Sequence, residues 1–302
     1  MCGRPTSDNA SLADESPAPA LLAIEPQNPM TAAEPTATAT AALHVRRWRF
    51  ASRAAPPDVT VLPEGHARRM LAWETRLVMF AFLVSGVISA VLVLAAHVTG
   101  VADIARFPVI VHSHPVLNML LGMLAYVPVL SVVPLALFLL ARTGQTPSVL
   151  GLGVRHVPRD LLPALGIGAA AFGLEVAMLL PFAGLLVHHH GWITSVSVSH
   201  EPKYYVIEGV FISAVTAVTE EVLVNGYLVT RLGQLGWTPR SSLLLSLTLR
   251  TSYHLYYGLG FLLTIPFGFL VTRSFQKHHR LTRPILAHFL FDAVLITIAI
   301  LA

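Results

Sequence analysis

The sequence predicts an all-α fold, a multi-pass transmembrane bundle of about seven helices with a polar intramembrane site, and three observations carry that expectation. Of 302 residues, 54% are hydrophobic and only 12% charged, with a mean hydropathy of +0.66. A soluble domain of this size carries about twice that share of charge, and hydrocarbon, which cannot solvate ions, is what selects against it. The apolar residues also fall in blocks long enough to cross a hydrocarbon layer about 30 Å thick, which takes roughly 20 residues at 1.5 Å each. Finally, the basic residues collect in alternate loops.

In chain order, residues 1–62 are rich in Ala, Pro, Ser and Thr and lack apolar periodicity. Such a stretch cannot bury enough surface to offset its ordering entropy, so a disordered cytoplasmic segment is expected. It has no apolar core of signal-peptide length, and it carries the basic cluster Arg46, Arg47, Arg49 and Arg53. Cys2 is the one cysteine, which leaves no intramolecular disulfide and no cysteine-based metal site. The transmembrane domain is expected over 63–302, entered through the amphipathic EGHARRMLAWETR. Three spans follow at 75–98, 116–141 and 161–187, and a fourth at 205–230 carries two adjacent carboxylates. The last three, 241–258, 260–275 and 285–302, are at or below the usual length and are expected to be shielded by their neighbours. Arg142, Arg155 and Arg159, then Arg231 and Arg240, then Arg273, Lys277, Arg280 and Arg283 occupy every second loop, against Arg106 and Lys203 in the others. Cytoplasmic loops retain Lys and Arg, so the protein is expected in the cell membrane with its N-terminus inside.

An ionisable residue at membrane depth costs about 2.5–3.5 kcal/mol on insertion scales and calls for a reason. Glu220 and Glu221 stand side by side in TEEVLVNGYLV, followed by Asn225. Arg250 and His254, in LRTSYHLYYG, are four apart and share a helix face, as do His288 and Asp292 in ILAHFLFDA. Any one pair is explained by a structural interhelical hydrogen bond; three of them within the last 83 residues point to one functional polar centre. Adjacent carboxylates on an α-helix point about 100° apart, so they should divide their tasks, one facing a cavity and one a neighbouring helix. A Glu acting on water with a His to orient it makes a hydrolytic centre, and a second His beside an Asp can donate to an oxyanion. Glu175, mid-way along the third span, is the other deeply placed acid. The histidines at 112, 114 and 188–190 fall in outer loops and read as solvated, and Tyr253, Tyr256 and Tyr257 as an interfacial aromatic belt.

Glu-Glu, then His on a later helix, then His-x-x-x-Asp on the last resembles the CPBP family (CAAX protease and bacteriocin-processing, also called Abi) of intramembrane metalloproteases. That family includes the type II CAAX prenyl endopeptidases and bacteriocin immunity proteins. The resemblance covers about residues 205–300, with wording similar to actinobacterial members. It implies a membrane-embedded endopeptidase in which Glu220 activates water, Glu221 supports it, His254 holds the water, and His288 with Asp292 stabilises the oxyanion. If a divalent metal such as zinc is bound, the resemblance makes Glu220, His254 and His288 its ligands; a metal-free, glutamate-activated water is the other course. The partners it implies are membrane lipid and a peptide or protein substrate, with lipidated C-termini among the candidates and no nucleic acid. Two positions depart from the family's pattern: Asn225 stands where an Arg is usual, and Arg250 where Phe is frequent. Arg250 is therefore expected to pair with Glu221 across helices. Two other functions use the same residues. A proton- or ion-coupled transporter needs buried Glu, His and Asp, but the chain shows no internal repeat. A catalytically inactive immunity or binding protein of the same fold would account for Asn225.

Overall fold

The computed structural model describes residues 65–99, 114–182, 202–257 and 259–301. The expected disordered segment 1–62, Arg106, His112, His188–His190 and the end of the third predicted span lie outside them. Among the described residues there are seven helical rods and no strand. They are α1 (His66–Val98), α2 (Pro115–Ala125, Val127–Leu130 and Val132–Ala141), α3 (Val157–Leu179), α4 (Pro202–Glu220), α5 (Pro239–Ser252), α6 (Thr264–His278) and α7 (Thr282–Leu301). The all-α bundle of seven rods is as expected. Among the described residues, four stretches are long and apolar enough to cross a membrane: His66–Leu92, Pro115–Ala141, Val154–Leu179 and Leu259–His278.

Local chemistry explains the breaks. Pro128 and Pro134 lack an N–H and crowd the carbonyl four residues back, and α2 is interrupted at Tyr126 and Ser131, just ahead of each. The first turn of α5 is capped by Thr238, whose Oγ1 accepts the Ser241 N–H at 3.1 Å, with Pro239 in the position that needs no donor. α6 stops at His279, whose φ of 50° is the left-handed conformation of a helix C-terminus. α4 does not stop at Glu220. It runs on as a π-helical stretch, Glu221–Val229, and a closing α-turn, Thr230–Gln234.

That extension of α4 is the centre of the molecule: every residue from Thr219 to Leu235 is buried. Val222, Leu223, Tyr227 and Leu228 pack against Val78 and Met79 of α1, Val133, Ala136 and Leu140 of α2, and Phe275 of α6. A second core joins Ala164 and Ala171 of α3 to Phe267 and Val271 of α6 and Ala287 of α7. By contrast α1, α2 and α3 turn Phe80, Leu92, Phe138 and Leu162 outward, each more than half exposed. In a membrane protein such a face is what acyl chains cover.

Two sequence expectations change here. Arg231, expected in a loop, is wholly buried inside the α4 extension. Its Nη2 donates to Glu74 Oε1 of α1 at 2.7 Å and to the Leu139 carbonyl at 2.6 Å, and its Nη1 to Thr143 Oγ1 at 2.8 Å. Glu175 is not the single further deep acid, because Glu208 on α4 is 2% exposed. Glu208 lies where α4 meets α2, against Gly122; a Cβ there would come within 1.8 Å of Glu208 Oε1, so a larger residue would have to displace that carboxylate.

Candidate active site

The expected polar centre forms, and Arg250 is its hub. This side chain reaches from the last turn of α5 to both carboxylates of α4, Nη1 donating to Glu220 Oε2 at 2.9 Å and Nη2 to Glu221 Oε1 at 2.8 Å. The pairing across helices expected for Arg250 and Glu221 is thus present, and extends to Glu220. A two-armed guanidinium suits two adjacent carboxylates, whereas an ammonium has no such fork. Gly268 of α6 leaves the space it needs. A Cβ there would stand 2.9 Å from Arg250 Cδ.

The two carboxylates do divide their surroundings. Glu221 is fully enclosed, taking hydrogen bonds from Arg250, from Asn225 Nδ2 one turn on, and from His288 Nδ1 of α7 at 2.8 Å. Glu220 keeps 12% of its side chain accessible and uses one oxygen, Oε2, for both Arg250 and the Tyr253 hydroxyl at 2.7 Å. Asn225 does not carry the charge of the family's Arg, and Arg250 supplies it from the next helix.

His288 lies between two acids. Nδ1 faces Glu221 and Nε2 lies 3.2 Å from Asp292 Oδ2, one turn further along α7. Phe267 flanks the ring, 5.0 Å between centroids. His254 is placed beside the centre rather than within it. Its Nδ1 donates to the Arg250 carbonyl at 2.8 Å, and its ring lies 4.7 Å from that of Tyr253 and stacks on Tyr257. A carbonyl only accepts, so the proton of the neutral ring resides on Nδ1 and Nε2 presents its lone pair.

The residues do not fit the metal site that the resemblance allows. Among the described residues, no group of three or more His, Cys, Asp or Glu side chains is arranged to hold an ion. The donor set gives the reason. Glu220 Oε2 is taken by Arg250 and Tyr253, and both nitrogens of His288 face carboxylates. The charge between the acids is a guanidinium.

Sequence reasoning missed Tyr253, placed in an aromatic belt but in fact 9% exposed and bonded to Glu220. Its position three residues after Arg250, on the same face, was the available signal. Tyr256 and Tyr257 remain partly exposed beside His254. Glu175 has no hydrogen bond to the centre, although Asp292 is near enough for their charges to interact. His114 is exposed at the start of α2.

No curated protein and no solved structure matches the chain. A family model does, and its limits enclose the elements that bear the cluster, from the first residue of α4 into α7. The motif resemblance is thereby matched: residues 202–294 of this membrane protein are similar to the family described as type II CAAX prenyl endopeptidase Rce1-like.

Proposed function

We propose that this protein is an intramembrane endopeptidase in which Glu220 activates the attacking water. The observation that carries the reading is the asymmetry of the acids. Glu221 is sealed by Arg250, Asn225 and His288, whereas Glu220 has an accessible side chain and no described partner on Oε1. A water on that oxygen gives its proton to Glu220 as it attacks the scissile carbonyl carbon. The C–N bond then breaks, and the same proton goes to the departing amine, leaving a carboxylic acid and an amine, which exchange a proton to become carboxylate and ammonium. His254 Nε2, an acceptor, holds the water's second hydrogen. Arg250 keeps Glu220 aimed and Glu221 neutralised. His288 stabilises the oxyanion by exchanging Asp292, the longer of its two contacts, for the substrate oxygen. No step requires a metal.

The substrate is a membrane-associated protein or peptide, and a lipidated C-terminus is the first class to try, from the description of the matched family. The chain crosses the membrane several times, with the end bearing Arg142, Arg155, Arg240 and Lys277 toward the cytoplasm. The test is a peptide-terminus profile of host membranes carrying wild-type or Glu220→Gln protein at matched expression. That substitution preserves shape and removes the base. Particular cleaved termini should vanish in the variant. Identical profiles would remove Glu220 from catalysis and put a binding role in its place.

A further inference from the structure

A second feature lies away from the acids, between α3 and α6. There a groove of about 610 Å³ is lined by Arg273, Lys277, His278 and Arg283, by the hydroxyl-bearing Ser274, and by the apolar Pro163, Ile167 and Leu270. No carboxylate lines it. Asp160, which pairs with Arg283 of the lining, is wholly buried and shared with Arg280, at 3.2 Å each. We propose that this groove binds one anionic phospholipid, headgroup phosphate on Arg273, Lys277 and Arg283 and acyl chain along Ile167 and Leu270.

Three features favour a lipid over other anions. Leu270, Arg273 and Lys277 share one face of α6, so the lining passes from apolar to basic over about 10 Å of helix, seven residues at 1.5 Å. That is the sequence of chemistries along a phospholipid from chain to headgroup. The basic end also coincides with the end of the Leu259–His278 span, where headgroups lie against a membrane-crossing helix. Finally, Leu162 and Phe269, chain neighbours of Pro163 and Leu270 in the lining, are 77% and 43% exposed, so the groove borders the apolar exterior. Its volume falls within the ~300–1,000 Å³ of pockets that take small ligands.

The experiment measures binding of phosphatidylglycerol to the full-length protein in neutral detergent by native mass spectrometry, with phosphatidylcholine as the neutral comparison. Phosphatidylglycerol should be retained selectively, and Lys277→Ala should weaken it about five-fold, the effect of one basic residue at an anionic headgroup. Arg240→Glu, an exposed charge at the start of α5 outside the groove, should change it little. Equal retention of both lipids, no effect of Lys277→Ala, or an equal loss with Arg240→Glu each overturns the proposal. A further arm adds inorganic phosphate. Displacement at millimolar concentration would make this a phosphate site rather than a lipid site, and no displacement is expected. Lys277 is exposed and away from the acids, so the outcome is independent of the proteolytic reading.

Discussion

Arg250 is 2% exposed and neutralises two acids from a neighbouring helix, a charge that the resembled pattern would place at position 225 instead. Removing it strands Glu220 and Glu221 without a cation, and breaking a buried pair in this way costs about 3–5 kcal/mol. Arg250→Ala should therefore lower thermal stability in detergent and abolish cleavage. Asn225 already reaches Glu221 from one turn away, so an arginine there would bring its charge to the same carboxylate. The double variant Asn225→Arg/Arg250→Ala should recover stability and part of the activity. If the double is no better than the single, position 225 has no access to the pair and the exchange of charge between helices is wrong. Both partners in this exchange were legible in the sequence because each breaks a pattern: an Asn where a charge is usual, a charge where an aromatic is usual. Tyr253 was only weakly legible: its spacing puts it on the face of Arg250, but a tyrosine among tyrosines near a helix end fits an interface equally well.

At the scale of elements, the site depends on two local devices. The π-helical turn that begins at Glu221 gives α4 an additional residue per turn just past the acids, a distortion found mostly where function requires it. The stretch is completely buried, and Gly226 within it allows the close approach of Leu281, which a Cβ would meet at 2.8 Å. No periodicity in EVLVNGYLV distinguishes this turn from α-helix, because both bury an apolar surface all round. The second device is Gly268, which admits the stem of Arg250 to the α5–α6 contact. Unlike the methyl of Leu281, the atoms it faces belong to a side chain fixed at its far end by two carboxylates. Gly268→Ala should thus displace the guanidinium, cutting cleavage ten-fold or more, about 1.4 kcal/mol in the barrier, with the fold retained by circular dichroism. Gly226→Ala should act on stability first. A Gly268→Ala protein with wild-type rate would show that the hub tolerates a shift of several tenths of an ångström.

For the molecule as a whole, the seven rods were legible because each is a separate apolar block in the sequence, whereas their arrangement was not. A sequence reports how polar a residue is but not whom it meets, and Arg231 and Glu74, 157 positions apart, were separately consistent with loops and headgroups. Folding brings the start of α1, the end of α2, the start of α3, the end of α4, the start of α5 and the α6–α7 junction to one end. Arg68 bonds the Leu235 carbonyl, Gln276 the Pro239 carbonyl, and the Leu281 N–H the Leu150 carbonyl, each at 2.8 Å. Two buried ionic ties fasten that end: Arg231 to Glu74, and Asp160 to both Arg280 and Arg283. Because lipid gives helices no hydrophobic reason to associate, such ties and close packing must hold the bundle together. Asp160 is the cleaner test, since it carries none of the proposed chemistry. Asp160→Asn leaves two neighbouring guanidinium groups without a counter-charge. As both retain some exposure, 17% and 14%, the loss should fall near the lower end of the buried range, about 3 kcal/mol. For a chain of this size that is a fall of roughly 6 °C or more in Tm. Cleavage measured well below the new Tm should persist, because the acids are held by Arg250 and not by this end. An unchanged Tm would mean that packing alone joins α3 to α7, while lost cleavage in a folded protein would mean that the tie also sets the position of His288 along α7.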